Sequence, residues 1–335
     1  MNSEIALSLQ GLSRTFGDLT ALDNVSLDIV EGEFFTIVGP SGSGKTTLLR
    51  LLAGLDVPSA GSLLLRGKDI TTMPANLRPT AMVFQSLALF DHRSVGENVE
   101  FAMKMRGIDP AQRRKEALRL LDLVQLSGEY YARRVTQCSG GERQRVALAR
   151  VLASNPEILF FDEPLSALDF RLRKALEVEL RSLQRRTGRT FVYITHSLEE
   201  AMIMSDRIGI MKDGKLVQIG TPTQIYAEPK NLFVARFMGE VNILKVRGGQ
   251  IADLALSVGG EDGYLVVRPE MLNPVETAGF ETKITELFHL GSRVQLHLDT
   301  AAGPMISEQP ATRTFRVGET LNFGFDPAHL HRVTT

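Results

Sequence analysis

The 335-residue chain has a single cysteine, Cys138, which excludes an internal disulfide framework and points to a reducing compartment. Net charge is almost absent: 38 Lys and Arg stand against 39 Asp and Glu, leaving -1, so nothing marks a surface for nucleic acid or an anionic membrane. No run of about eighteen apolar residues occurs, as a membrane-spanning helix would need. The first residues, "MNSEIALSLQGLSRTF", lack the basic start, apolar stretch and small-residue cleavage site of a secretory signal. Repeats, low-complexity tracts and sustained heptads are also missing. These absences predict a globular protein of the cytoplasm, or one held at a membrane through partners. Its 43% hydrophobic and 23% charged residues can build a sizeable core, and the length favours two domains.

What is present changes texture once along the chain. Up to about residue 235, short apolar runs alternate with helical periodicity, which predicts an α/β layer architecture. "EFFTIVG", "PEILFFDE" and "RTFVYITH" have the length and apolar continuity of buried strands, each ending in polar residues. In "DFRLRKALEVELRSLQRRTG", Leu172, Leu176, Leu180 and Leu183 fall at helical spacing, the pattern of a packed amphipathic helix. From about residue 241, short alternating segments punctuated by Gly, Pro and Asp predict a small antiparallel β domain. The expected division is 4–238 and 239–335, with a helical subdomain at about 86–155.

Two stretches carry the chemistry. "GPSGSGKT" runs through Gly39, Pro40, Ser41, Gly42, Ser43, Gly44, Lys45 and Thr46, with Thr47 following, and lies between an apolar strand and a helical segment. That spacing is the phosphate-binding loop: backbone N–H groups and the helix N-terminus face phosphate oxygens, Lys45 reaches the β- and γ-phosphates, and Thr46 offers a hydroxyl to Mg²⁺. "EILFFDE" supplies strand-end carboxylates, Asp162 for the magnesium and Glu163 to take a proton from an attacking water. A second Ser-Gly-Gly turn stands in "VTQCSGGERQRVALAR", ahead of a helix predicted to begin at Glu142 or Arg143.

In one order, the phosphate loop, Gln85 in "MVFQSLALF", "CSGGE", "LFFDEP", "SALD" and "ITHS" resemble the ATP-binding cassette family over roughly the first 235 residues. The resemblance implies ATP and Mg²⁺ as ligands and a head-to-tail homodimer. In such a pair Ser139, Gly140, Gly141 and Glu142 of one copy face the γ-phosphate held by the other. It further implies that Gln85 senses the γ-phosphate and magnesium, that His196 bonds the γ-phosphate, that Asp169 organises the dimer contact, and that Phe16 stacks on adenine. Two residues depart from the usual Leu-Ser-Gly-Gly-Gln signature: Cys138 replaces leucine and Glu142 replaces glutamine. A thiol beside a helix N-terminus is expected to have a lowered pKa, so Cys138 is expected to be reactive.

The second half of the chain resembles the OB-like (TOBE) domain appended to bacterial importer ATPases, with dimerising or solute-sensing roles both open. Residues 241–335 hold 8 Lys and Arg against 11 Asp and Glu, which argues against a nucleic-acid partner. His329 and His331 have the spacing of a metal pair but lack a third ligand in sequence. "MSDRIGIMKDGKLVQIGTP" and "VRPE" are most similar to the polyamine branch, with ferric-iron, sulfate, phosphonate and sugar branches close by. The resemblance implies two integral-membrane permease subunits, an extracytoplasmic solute-binding protein and a peripheral place on the inner membrane's cytoplasmic face. The alternatives of another class are a soluble ATPase without a transporter and a solute-responsive regulatory protein.

Overall fold

The computed structural model describes residues 4–333 apart from 167 and 278, and separates into two units, divided between residues 222 and 223. The first unit is built on two sheets. An antiparallel sheet has the order β2-β1-β4-β5, from β1 (Ile5–Phe16), β2 (Leu19–Val30), β4 (Ala60–Leu65) and β5 (Lys68–Asp69). A six-stranded sheet has the order β10-β9-β3-β8-β7-β6, from β3 (Phe34–Val38), β6 (Thr80–Val83), β7 (Ile158–Asp162), β8 (Thr190–Ile194), β9 (Arg207–Lys212) and β10 (Lys215–Gly220). Five of these strands are parallel, and β10 is an antiparallel edge.

The three apolar runs read from sequence are β3, β7 and β8, the centre of that sheet. Their side chains alternate between two cores, because successive residues of a strand point to opposite faces. Phe34, Leu159, Phe161, Phe191 and Tyr193 pack against helices α2 (Val95–Met105), α3 (Pro110–Leu123), α4 (Gly140–Leu152) and α5 (Phe170–Thr187). Phe35, Ile37, Phe160, Val192 and Ile194 pack against α1 (Lys45–Ala53) and the antiparallel sheet. Both faces are covered, so no polar alternation is needed, and each fully buried aromatic contributes about 1.5–3 kcal/mol. In α5, Leu176, Leu180 and Leu183 are buried as the leucine spacing predicts. After β8 comes α6 (Leu198–Met204).

In the second unit a short helical segment leads into β strands. The helices are α7 (Pro222–Ala227) and α8 (Leu232–Phe237). Strands β11 (Asn242–Val246), β14 (Gly263–Val267) and β20 (His331–Val333) form one antiparallel sheet, and β12 (Gln250–Ile251) pairs with β13 (Leu256–Ser257). A five-stranded antiparallel sheet has the order β15-β19-β16-β17-β18, from β15 (Asn273–Pro274), β16 (Phe280–His289), β17 (Arg293–Thr300), β18 (Gly303–Pro310) and β19 (Thr320–Gly324).

Arg268, 1% exposed, explains why α8 groups with these strands rather than with the first unit. Its guanidinium donates to the carbonyls of Ala235 (2.9 Å), Glu240 (3.4 Å) and Tyr226 (3.0 Å) and stacks on the Tyr226 ring at 4.1 Å. A buried cation of this kind needs acceptors, and residues 226–240 supply them to both Nη atoms, leaving only Nε without a partner. The Tyr226 hydroxyl, pushed up to about 12 by burial and its bond to Glu270, completes the knot. His331 bonds the Pro229 carbonyl through Nε2 at 3.1 Å; the side chain of His329 lies outside the described residues. No group of three metal-ligating side chains occurs among the described residues. No described helix is long and apolar enough to cross a membrane.

Candidate active site

The parallel strands end at one rim, and the loops leaving that rim build a cleft of about 780 Å³. After β3 the chain turns through Gly42 (φ +78°) and Gly44 (φ +97°), left-handed conformations that L side chains resist. Gly39 is dictated by space: a Cβ there would lie 2.3 Å from the Met211 carbonyl oxygen. The result is a tight loop, closed by the Ser43 N–H bond to the Pro40 carbonyl at 3.2 Å, that ends at the N-terminus of α1. Lys45 is buried, and its Nζ donates to the carbonyls of Gly39 (2.8 Å) and Pro40 (2.9 Å) within that loop. Burial pushes its pKa down, opposed by the carboxylates of Glu163 and Asp162. The Ser43 hydroxyl is buried with no hydrogen-bond partner. Ser41, Gly42, Ser43, Gly44, Lys45, Thr46 and Thr47 all line the cleft.

The opposite wall contains Phe16, at the end of β1, 45% exposed and therefore not a core residue, with the Arg14 guanidinium 4.5 Å from its ring centroid. Leu19, Thr20 and Ala21 of the following hairpin and Asp213 and Gly214 of the β9–β10 turn complete the lining. Sequence reasoning missed these five. The Asp-Gly pair was visible as a hairpin turn, but no local pattern says which cavity a turn will face.

The carboxylates stand where β7 ends. Asp162 is its last residue; burial pushes its carboxyl up, Glu163 adds to the shift, and Lys45 opposes it. Glu163 has a left-handed φ of +45°, which costs a non-glycine residue about 1–2 kcal/mol, and its N–H is held by the Ile194 carbonyl at 3.0 Å. This turn sends Glu163 into the cleft, where Oε2 lies 3.1 Å from Nδ1 of His196, just beyond β8. Gln85, just beyond β6, donates through Nε2 to Ser166 Oγ (3.0 Å), which donates to the Glu163 carbonyl (2.9 Å). Ser166 is a linking residue that the sequence offered only as part of "SALD". Asp169 caps α5, accepting from the N–H of Leu172 at 3.0 Å.

The Ser-Gly-Gly turn is elsewhere, for residues 139–142 are absent from the cleft lining. Its helix starts at Gly140, earlier than expected, because Ser139 and Glu142 form a capping box that starts α4 at the glycines. Ser139 N–H donates to Glu142 Oε2 (2.7 Å), and the Tyr130 hydroxyl donates to Oε1 (2.6 Å). The two glycines differ. A Cβ on Gly141 would lie 2.8 Å from Leu172 Cδ1, whereas one on exposed Gly140 would meet nothing closer than 3.6 Å. The expected low thiol pKa of Cys138 is not found: burial, with the Glu142 carboxylate, pushes it up. The same carboxylate that caps the helix opposes the thiolate.

The chain matches family models described as ABC transporter, over residues 22–166, and as TOBE domain, over 265–333. It is 42% identical to a spermidine/putrescine import ATP-binding protein PotA of Roseobacter denitrificans, over 95% of this chain and 93% of that one. The protein of that name from Bacillus thuringiensis subsp. konkukian is 46% identical over 85% of this chain and 82% of its own. Among solved structures, a dimeric bacterial ABC transporter cassette, MJ0796, is 33% identical with a TM-score of 0.57, covering 64% of this chain and 98% of that one. A post-hydrolysis dimer of MJ0796 bound to ADP and Pi is 32% identical with a TM-score of 0.56, over the same 64% and 98%. A phosphate-loop α/β unit of this geometry, followed by an all-β unit and matched along nearly its whole length, belongs to the ABC transporter family: an ATP-binding cassette with a C-terminal TOBE domain.

Proposed function

We propose that this chain is the ATP-hydrolysing subunit of a bacterial importer for polyamines of the spermidine and putrescine type. The observation that carries this reading is the 42% identity running through 95% of the chain, so that the C-terminal unit is shared as well as the cassette. It acts as a head-to-tail homodimer on two integral-membrane permease subunits fed by an extracytoplasmic solute-binding protein. Its place is the cytoplasmic face of the membrane.

ATP lies in the 780 Å³ cleft, with its base against Phe16 and its phosphates in the loop of Gly39 to Thr46. The orphaned Ser43 hydroxyl and the Lys45 ammonium, resting on loop carbonyls, are donors suited to phosphate oxygens. Mg²⁺ fits the donor set, since Thr46, Gln85 and Asp162 offer the oxygen ligands a hard cation takes. Burial, and after it the neighbouring Glu163 carboxylate, push the Asp162 carboxyl up, a cost that a nearby cation relieves. When bound, magnesium neutralises charge on the β- and γ-phosphate oxygens.

Glu163 positions the attacking water and accepts its proton. His196, hydrogen-bonded to that carboxylate, fixes its direction and keeps Nε2 for the γ-phosphate. Lys45 and the Ser139-Gly140-Gly141 turn of a second copy stabilise the transferring charge. The separation of that turn from the chain's own cleft supports the two-copy arrangement, as does the dimeric MJ0796 cassette.

A deletion strain tests the reading. Loss of radiolabelled putrescine or spermidine uptake, restored by the natural chain and not by Lys45→Ala, is the expected result. Intact polyamine uptake with loss of sulfate, iron or sugar uptake would reject it.

A further inference from the structure

The loop from β6 to α2 leaves the sheet beside the hydrolytic site and contains two consecutive non-glycine residues in left-handed conformation, Leu87 (φ +59°) and Ala88 (φ +47°). Each costs about 1–2 kcal/mol, so the turn persists only if something outside it holds it. That something is Arg150, in the last turn of α4. Its Nη2 donates to the Leu87 carbonyl at 2.8 Å and its Nη1 to the Ala88 carbonyl at 2.6 Å, and the guanidinium lies 5.6 Å from the Phe90 ring centroid. Burial pushes the Arg150 pKa down, with no carboxylate offsetting it. A partly desolvated cation is here devoted to two backbone carbonyls of one strained turn.

Both ends of this turn are tied. Beyond it, the fully buried Asn98 of α2 accepts from the Phe90 N–H at 2.9 Å and donates to the carbonyls of Phe90 (3.2 Å) and Ser94 (2.9 Å). Before it, two residues from Leu87, Gln85 is joined through Ser166 to the Glu163 carbonyl. The Ser-Gly-Gly helix thus holds this loop at two places, through Arg150 at the section adjoining Gln85 and through Arg143, whose Nη2 lies 3.0 Å from Asp91 Oδ1 farther along. Arg150 and Ser139 stand near opposite ends of α4, about 16 Å apart at 1.5 Å per residue.

We infer that Arg150 is a positioning residue that couples the α4 helix to Gln85, so that engagement of the Ser139 turn by a second copy's nucleotide is relayed, within the same chain, to the site around Glu163. The helix acts as a rigid rod: any displacement at its capped end moves the two carbonyls gripped at its other end, and with them the glutamine amide. This inference rests on the hydrolytic reading of the cleft, but its structural half can be measured without nucleotide.

Arg150→Lys keeps the charge and loses the fork that spans two carbonyls. Arg145→Lys is the control, because Arg145 is on the same helix and bonds Glu179 and the Gln125 carbonyl instead. In the folded chain, backbone amides of residues 86–91 should exchange with solvent about tenfold faster in Arg150→Lys and at the natural rate in Arg145→Lys. Turnover of ATP should fall about tenfold in kcat with KM within about twofold, and in a Gln85→Ala background Arg150→Lys should cost nothing further. Unchanged exchange, or losses from Gln85→Ala and Arg150→Lys that multiply, would overturn the coupling. If Arg150→Lys does not fold, Arg150→Gln, which retains an amide donor, takes its place in both measurements. A natural chain without ATP turnover would remove the hydrolytic reading, while the exchange comparison would still decide whether the clamp exists.

Discussion

The chain has two turns of the same composition, serine and glycine ahead of a helix, and they are built differently. In the turn at 39–44, Gly42 and Gly44 take left-handed φ values and the backbone wraps into a nest before α1 begins. In the turn at 139–141, neither glycine has a positive φ; both lie inside the first turn of α4, and the cap is made by side chains. The first is a glycine-rich loop that lines the cleft, while the second is a side-chain-capped helix end outside the cleft lining. A single chain thus presents one complete cradle and one isolated helix terminus, an asymmetry that a second copy would resolve.

The largest effect is expected of Glu163→Gln, which replaces the proposed proton acceptor in the first turn's cleft and leaves its loop intact. Turnover should fall by about 10²–10⁴-fold while ATP binding is retained, read by phosphate release beside equilibrium nucleotide binding. Next is Ser139→Arg, which fills the second turn without touching the first. Sedimentation should show ATP-dependent dimers for the natural chain and monomers for the variant, with ATP binding to the single chain preserved; normal dimers would break the two-copy account.

Smaller effects separate the two signature glycines. Gly141→Ala brings a Cβ to 2.8 Å from the Leu172 Cδ1 methyl, which has to turn aside, and should lower stability by at most about 1 kcal/mol in a urea titration. Gly140→Ala has room and should leave stability within about 0.5 kcal/mol, so any loss of ATP turnover there reports on the partner's nucleotide rather than on folding. The smallest effect belongs to Glu142. Its carboxyl is held below the ordinary range, chiefly by the Tyr130 hydroxyl and also by the Ser139 N–H. A depressed folded pKa means stability present above the unfolded value and lost as pH falls through the folded one. Glu142→Gln should therefore lower the melting temperature slightly at neutral pH and flatten the acid limb of the profile below about pH 4.3, where natural chain and variant converge.

Much of the cleft was legible because its parts are local. Residues 39–47 form one strand-loop-helix passage, and Asp162, Glu163 and His196 sit at strand ends that apolar runs disclose. What escaped depended on meetings between distant segments. Thr20 and Asp213 reach the same wall from different sheets, Ser166 bridges Gln85 to Glu163, and Arg268 gathers α8 into the second unit. The thiol of Cys138 was misread for a related reason: helix position alone lowers a thiol pKa, but burial and the capping carboxylate decide the balance.

Residue order alone determined the phosphate loop, the buried parallel strands, the helix faces and the passage from α/β to β texture, because periodicity and glycine placement act over a few neighbours. Only the folded chain decided which turns share the cleft, that Gly141 abuts Leu172, and that a strained loop is gripped by Arg150. Those outcomes arise from close packing and from satisfying buried polar groups, conditions set by residues far apart in the chain and near in space.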